Sequence, residues 1–224
     1  MVQKIPNFSK SQLAILLSKL ETFSDPKIKK EQYQTNPEVA AELIHNAFMF
    51  GDIKEKVIVD FGSGTGILGI GCWLMGAKKV TLIEQDISAC EIAQKNIEML
   101  KNAIESEHLE SLKIGKIMTK RTNIKEYRGK SETLIMNPPF GVQQKHADRE
   151  FYMKAFQTCD VIYSIGHSKS SNFVQKVSVD NGFKLTHKWE KSLILPKTAE
   201  FHTKSKKKID IMLYRIEKVR NDIN

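Results

Sequence analysis

Between Lys56 and Ile216, short apolar runs alternate with segments of helical period. This alternation confines the chain to an α/β architecture. Lys56–Asp60, Val80–Glu84, Leu112–Met118, Thr133–Met136 and Val161–Ser164 read as strands. Ile67–Met75, Ser88 to about Leu100, Arg149–Thr158 and Ser171–Asn181 read as helices. Ser88 and Glu91 have the spacing of a capping box, and Asn181-Gly182 is a helix stop. Lys184–Leu195 and Ile209–Ile216 follow as strands with no helix between them, so they are expected to be antiparallel neighbours. The expectation is a mostly parallel, seven-stranded sheet with helices on both faces and an antiparallel last strand.

Two helices are expected ahead of this core. Ser9 opens a Ser-x-x-Gln box before Leu13, Leu16, Leu17 and Leu20. Asn36 reads as an N-cap with Pro37 at the first helical position, and Val39, Leu43, Ile44 and Phe48 form its apolar face. The expected layout is an N-terminal helical extension at 1–50, a catalytic domain at 51–217 and a short tail at 218–224.

Asp60-Phe61-Gly62-Ser63-Gly64-Thr65-Gly66 joins the first core strand to its helix. Glycines allow a sharp turn and close backbone approach to a ligand, and a helix N-terminus supplies unpaired N–H groups. Glu84 ends the next strand, where its carboxylate can reach ribose hydroxyls. Gly64-Thr65-Gly66-Ile67-Leu68-Gly69 also satisfies G-x-G-x-x-G with an acid about 20 residues on, so a dinucleotide oxidoreductase stays open. Asp60 tilts against it: an acid before the loop repels a pyrophosphate and welcomes a cationic ligand. S-adenosyl-L-methionine fits both acids, with its ribose at Glu84, its positive charges near Asp60 and its adenine near Asn123-Ile124.

Asn137-Pro138-Pro139-Phe140 follows the apolar run Leu134-Ile135-Met136. Prolines bring carbonyl acceptors without competing N–H groups, asparagine brings an amide, and phenylalanine brings a flat face. The group suits a clamp for a planar amine. Read alone, it is also ordinary turn chemistry. Asp60, Glu84, Asn123 and Asn137 all fall at strand carboxyl ends, where open α/β sheets bind ligands.

The chain carries 35 Lys+Arg against 26 Asp+Glu, a net charge of +9. That balance favours a polyanion partner, nucleic acid first. Between Lys184 and Lys208 eight lysines face only Glu190 and Glu200. Phe201 and His202 interrupt this run, a pattern suited to structured RNA. Cys72, Cys90 and Cys159 show no metal-ligand spacing and read as buried hydrophobes, so no metal is expected. The apolar stretch Ile67–Ala77 is too short for a bilayer, and no signal-peptide h-region follows Lys4 and Lys10. A soluble, cytoplasmic protein is expected. His146, His167 and His187 read as polar surface or loop.

Asp60–Gly66 with Asn137–Phe140 resembles the class I, Rossmann-like, S-adenosylmethionine-dependent amino-methyltransferases. Glu31–Pro37, Ile135–Gly141 and Phe201–Asp210 narrow the likeness to the archaeal and eukaryotic rRNA N6-adenosine methyltransferases. That resemblance implies methyl transfer to adenine N6 in small-subunit rRNA. It implies Asn137, Pro138, Pro139 and Phe140 as catalytic residues, and Gln32, Thr35 and Glu84 at the cofactor, where the residues themselves already point to Asp60, Gly62, Gly64, Gly66, Asn123 and Asn137; many members carry Asp where this chain has Asn123. Phe201, His202, Lys204, Lys206, Lys207 and Lys208 are the expected RNA contacts. It further implies a small zinc-binding activator protein in a heterodimer. Methylation of DNA adenine or of a protein glutamine, and a non-catalytic RNA-binding assembly factor, remain open readings.

Overall fold

The computed structural model describes residues 8–23, 35–106, 114–139, 147–195 and 207–220. Gln32, Phe140, His146, Phe201, His202, Lys204 and Lys206 lie outside them. Of Lys207 and Lys208 only the backbone is described.

Seven strands form one sheet in the order β3-β2-β1-β4-β5-β7-β6. They are β1 (Val57–Phe61), β2 (Lys79–Glu84), β3 (Lys116–Arg121), β4 (Thr133–Met136), β5 (Val161–His167), β6 (Phe183–Leu195) and β7 (Lys207–Lys218). Neighbouring pairs from β3 to β5 are parallel, while β7 runs antiparallel to both β5 and β6. The sheet therefore has the expected topology.

The helices are α1 (Lys10–Leu17), α2 (Pro37–Met49), α3 (Ile67–Leu74), α4 (Ile87–Ser106), α5 (Ala147–Phe156) and α6 (Ser171–Asp180). Alternation along the strands divides the core into two layers. Ile58, Val80 and Leu82 face a cluster containing Leu13, Leu43, Ile44, Ile70 and Ile97 from α1 to α4. Val59, Phe61 and Ile83 face a second cluster containing Tyr152, Ala155, Val174 and Val177 from α5 and α6.

Both expected N-terminal caps form. Ser9 and Gln12 exchange side-chain-to-backbone hydrogen bonds at 2.9 and 3.3 Å. Asn36 Oδ1 accepts from Glu38 N at 2.9 Å and Val39 N at 3.3 Å. The cap of α4 differs from the expected Ser88–Glu91 box. Asp86 takes that place, its Oδ1 accepting from Ser88 N at 3.1 Å, Ala89 N at 3.4 Å and the Ser88 hydroxyl at 2.5 Å. A carboxylate two residues earlier captures the donors that Ser88 would have served. The helix also runs on to Ser106, because Ile104 continues the stripe of Ile97 and Leu100 into the core. Cys72 and Cys159 are buried as expected, but Cys90 is half-exposed on the first turn of α4.

Candidate functional site

Parallel pairing lines up the strand ends. Phe61 pairs with Ile83 and with Met136. One step further, Gly62 falls between Glu84 and Asn137. The chemistry-bearing residues of three strands thus meet along one carboxyl edge.

The glycine loop needs its glycines for two reasons. Gly62, Gly64 and Gly66 have φ of +64°, +54° and +91°, in the left-handed region. Gly69, in the first turn of α3, packs so closely on β1 and β2 that an added Cβ would strike the Leu82 side chain and lie 3.1 Å from Asp60 Oδ2. Ser63 N donates to Ile83 O at 3.1 Å and Gly66 N to Ser63 O at 2.8 Å, which pins the loop to β2.

Asp60 is 1% exposed. Its Oδ2 accepts from Gly69 N at 2.8 Å, while Oδ1 is buried without a protein partner. Burial pushes this carboxyl up to about 7; the Gly69 N–H pulls it down and the Glu84 charge pushes it up again. Glu84 is more fully engaged. Its Oε2 accepts from Gly64 N at 2.9 Å, and its Oε1 from Gln85 N at 2.8 Å and Asp86 N at 2.9 Å. Oε2 accepts one of these bonds against two at Oε1, which leaves it capacity for a further donor.

Asn137 is half-buried and Pro138 buried at the end of β4. The Asn137 Nδ2 donates to Thr35 Oγ1 at 2.9 Å, and Oδ1 is buried without a partner. Thr35, expected at the cofactor, therefore meets the amide clamp. Asn123 caps the 3-10 turn Ile124–Glu126, accepting from Lys125 N at 2.9 Å and donating to Gln85 Oε1 at 2.9 Å. Its amide bridges the ends of β2 and β3, and Ile124 supplies a buried apolar wall beside it.

Six described buried side-chain atoms lack a partner, and three of them, Asp60 Oδ1, Ser63 Oγ and Asn137 Oδ1, lie at these strand ends. Buried polar atoms are nearly always satisfied, so such a concentration marks a place where a ligand completes the bonding. Two unpaired carbonyl-type acceptors, one on an acid, suit a cationic ligand and an N–H donor. The residues present thus fit S-adenosyl-L-methionine and an amine. No three described His, Cys, Asp or Glu residues group as metal ligands.

Three residues went unsingled in the sequence. Asn96, 1% exposed on α4, donates to Thr65 O at 3.1 Å and Glu21 O at 3.0 Å and accepts from Glu21 N at 2.7 Å. It binds the glycine loop to the segment after α1. Its signal was an amide on the stripe Ala89, Ala93, Ile97 and Leu100. Phe151 and Phe23 flank the loop, 3.0 and 3.8 Å from ideal Cβ positions at Gly62 and Gly64. Both look like ordinary core rings in sequence.

The basic run is only partly described. Lys184 and Lys188 are exposed on β6, but Lys191 pairs with Glu42 of α2 at 2.8 Å. His167 Nδ1 accepts from Lys169 N at 3.1 Å, and His187 stacks on Trp189 with centroids 5.5 Å apart.

The sequence profile of the methyltransferase small domain family matches residues 34–160. A protein of Methanocaldococcus jannaschii is 34% identical over 94% of this chain and 94% of its own length. The rRNA N6-adenosine-methyltransferase METTL5 of Danio rerio is 30% identical over 90% of this chain and 94% of its own length. A crystal structure from Pyrococcus horikoshii, of a candidate RNA methyltransferase, is 37% identical with a TM-score of 0.82. It covers 94% of this chain and 98% of its own.

Proposed function

Because this chain belongs to the methyltransferase small domain family, we propose that it transfers a methyl group from S-adenosyl-L-methionine to N6 of an adenosine in RNA, with small-subunit rRNA as substrate. The observation that carries the reading is the Asn137 amide. It stands at the strand end beside Gly62 and Glu84, with its nitrogen held and its oxygen open.

Adenine N6 is a poor nucleophile because its lone pair is delocalised into the ring. Asn137 Oδ1 and the Pro138 carbonyl accept its two hydrogens and favour a tetrahedral nitrogen. Positive charge develops on that nitrogen during attack, so these fixed dipoles act chiefly in the transition state. S-adenosyl-L-methionine supplies the methyl carbon on a positively charged sulfur. The N6 lone pair bonds to that carbon, the C–S electron pair stays on sulfur, and one N6 proton leaves to water. No strong base is needed, because alkylated nitrogen is acidic. Phe140, next in the motif, would stack on a base flipped out of its helix.

On the cofactor side, Asp60 Oδ1 would meet the positive charges and Glu84 Oε2 would accept from ribose. Gln32 completes the set of contacts by family resemblance. Phe201, His202, Lys204 and Lys206–Lys208 would hold the RNA backbone and splayed bases. A small zinc-binding activator protein belongs to the same proposal. Edge strand β3, with Met118 50% exposed, offers an open strand and apolar surface for it. No described helix is long and apolar enough to cross a membrane.

The test is to map N6-methyladenosine in rRNA from cells lacking this protein. One small-subunit site should lose its methyl group and regain it with the wild-type chain. An unchanged map would overturn the rRNA assignment, and methylated DNA or protein glutamine in its place would redirect it.

A further inference from the structure

We propose that Thr35 is a positioning residue for methyl transfer, whose hydroxyl anchors the Asn137 side chain at the strand end with Oδ1 open toward the incoming amine. The inference rests on the N6-methylation reading and assigns Thr35 a role on the acceptor side of the site.

A primary amide presents a donor on one side and an acceptor on the other. Rotated by a half-turn, Asn137 would aim its NH₂ at the substrate nitrogen, repel its hydrogens and leave the lone pair uncoupled. A threonine hydroxyl can meet either end of the amide, so what it fixes is the place of the side chain, and the arrangement with Nδ2 on the hydroxyl is the productive one. The described partner of the amide is Thr35 Oγ1, 2.9 Å from Nδ2. Oδ1 on the opposite side is buried with no partner, so no competing bond holds the oxygen away from the site.

Thr35 is itself placed by structure that the reaction does not use. It immediately precedes Asn36, whose side chain caps α2 through Glu38 N and Val39 N. Pro37 fixes the first helical φ. The body of α2 is then seated by Val39, Ala40, Leu43, Ile44 and Ala47, all 5% exposed or less. Gly71 of α3 accepts Ile44 so closely that an added Cβ would collide with it. The hydroxyl is thus carried on a rigid helix start and reaches an amide 102 residues away. Catalytic geometry held by packed supports keeps its reorganisation cost low during the reaction.

The test compares Thr35→Val, which removes the hydroxyl at nearly constant shape, with Thr35→Ser, which keeps it. Methyl transfer to rRNA is followed together with cofactor affinity by calorimetry. Thr35→Val should lower kcat about 10-fold or more, by analogy with loss of one preorganised polar contact, while cofactor Kd and RNA KM stay within about twofold. Thr35→Ser should keep most of kcat. In an Asn137→Ala background, Thr35→Val should cost almost nothing further, because the two residues act as one unit. Should Thr35→Val fail to fold, Thr35→Ala against Thr35→Ser makes the same comparison.

A loss confined to cofactor Kd, or losses that add in the double variant, would overturn the proposal. A separate readout needs no RNA. The ¹⁵N-labelled Asn137 side-chain amide should shift in Thr35→Val and stay near its wild-type position in Thr35→Ser, and an unmoved signal in Thr35→Val would also overturn it. Absence of RNA methylation by the wild-type chain, with the amide shift present, would instead strike the N6-methylation reading.

Discussion

Asp60 and Glu84 find their loop partners nine and 20 residues away, whereas Asn137 finds Thr35 across 102 residues. The glycine loop is therefore assembled within one β1-α3-β2 unit. The amide clamp exists only once α2 has docked against the finished sheet. The loop half is also dense in backbone donors, four of which serve two carboxylates. The clamp half depends on one side-chain bond and keeps its acceptor open. Damage to the first half should appear as binding and stability, and damage to the second as rate.

The sharpest way to break this contrast is Asn137→Ala. It should lower kcat roughly 10²-fold or more with cofactor affinity unchanged, measured by methyl transfer and calorimetry. Equal activity in variant and wild type would remove the clamp from the mechanism. Next is Asn96→Ala in the loop half. It strands the buried Thr65 carbonyl and releases the backbone of the exposed Glu21, so it should cost about 1–2 kcal/mol in denaturant unfolding. Cofactor affinity should fall with it as the loop loosens, and a loss of kcat alone would contradict the division.

The third test uses pH. The Asp60 carboxyl sits at about 7 in the fold against an ordinary 3.8. Between these values the folded state keeps a proton that the unfolded state has lost. Stability from this group is complete below about 3.8 and is lost as pH rises toward about 7. Affinity for a cationic cofactor should run the other way, rising up to about tenfold per pH unit below 7 as Asp60 ionises. Asp60→Asn should flatten both profiles. A wild-type affinity independent of pH from 5.5 to 7.5 would show that Asp60 does not meet the positive charge. The smallest expected effect is Ser9→Ala at the α1 cap, about 1 kcal/mol of stability. It should leave kcat intact, since the exposed Ser9–Gln12 cap bonds neither the glycine loop nor the Asn137 amide.

Legibility followed the same division. Asp60, Gly62, Gly64, Gly66 and Glu84 were readable because a strand, a glycine turn and a helix leave a local signature. The caps at Ser9 and Asn36 were readable for the same reason. The α4 cap was misplaced because Ser88-x-x-Glu91 imitates a capping box, while Asp86 competes from outside that window. Asn96 was passed over, although an amide on an apolar stripe was its visible mark. Thr35 was read only through resemblance, as a cofactor contact, and its bond to Asn137 was not legible because no spacing rule links positions 35 and 137.

By itself the sequence determined six of the seven strands and their largely parallel pairing, with β3 beginning four residues later than expected, together with the glycine loop, the two acids and the Asn137–Pro139 turn. Each depends on periodicity or backbone restriction within a few residues. The tertiary structure decided that Thr35 meets the Asn137 amide, which carboxylate oxygen is left open, and how Asn96 joins the loop to the segment after α1. Those outcomes depend on helices docking across the sheet, where distance in space has no counterpart in distance along the chain.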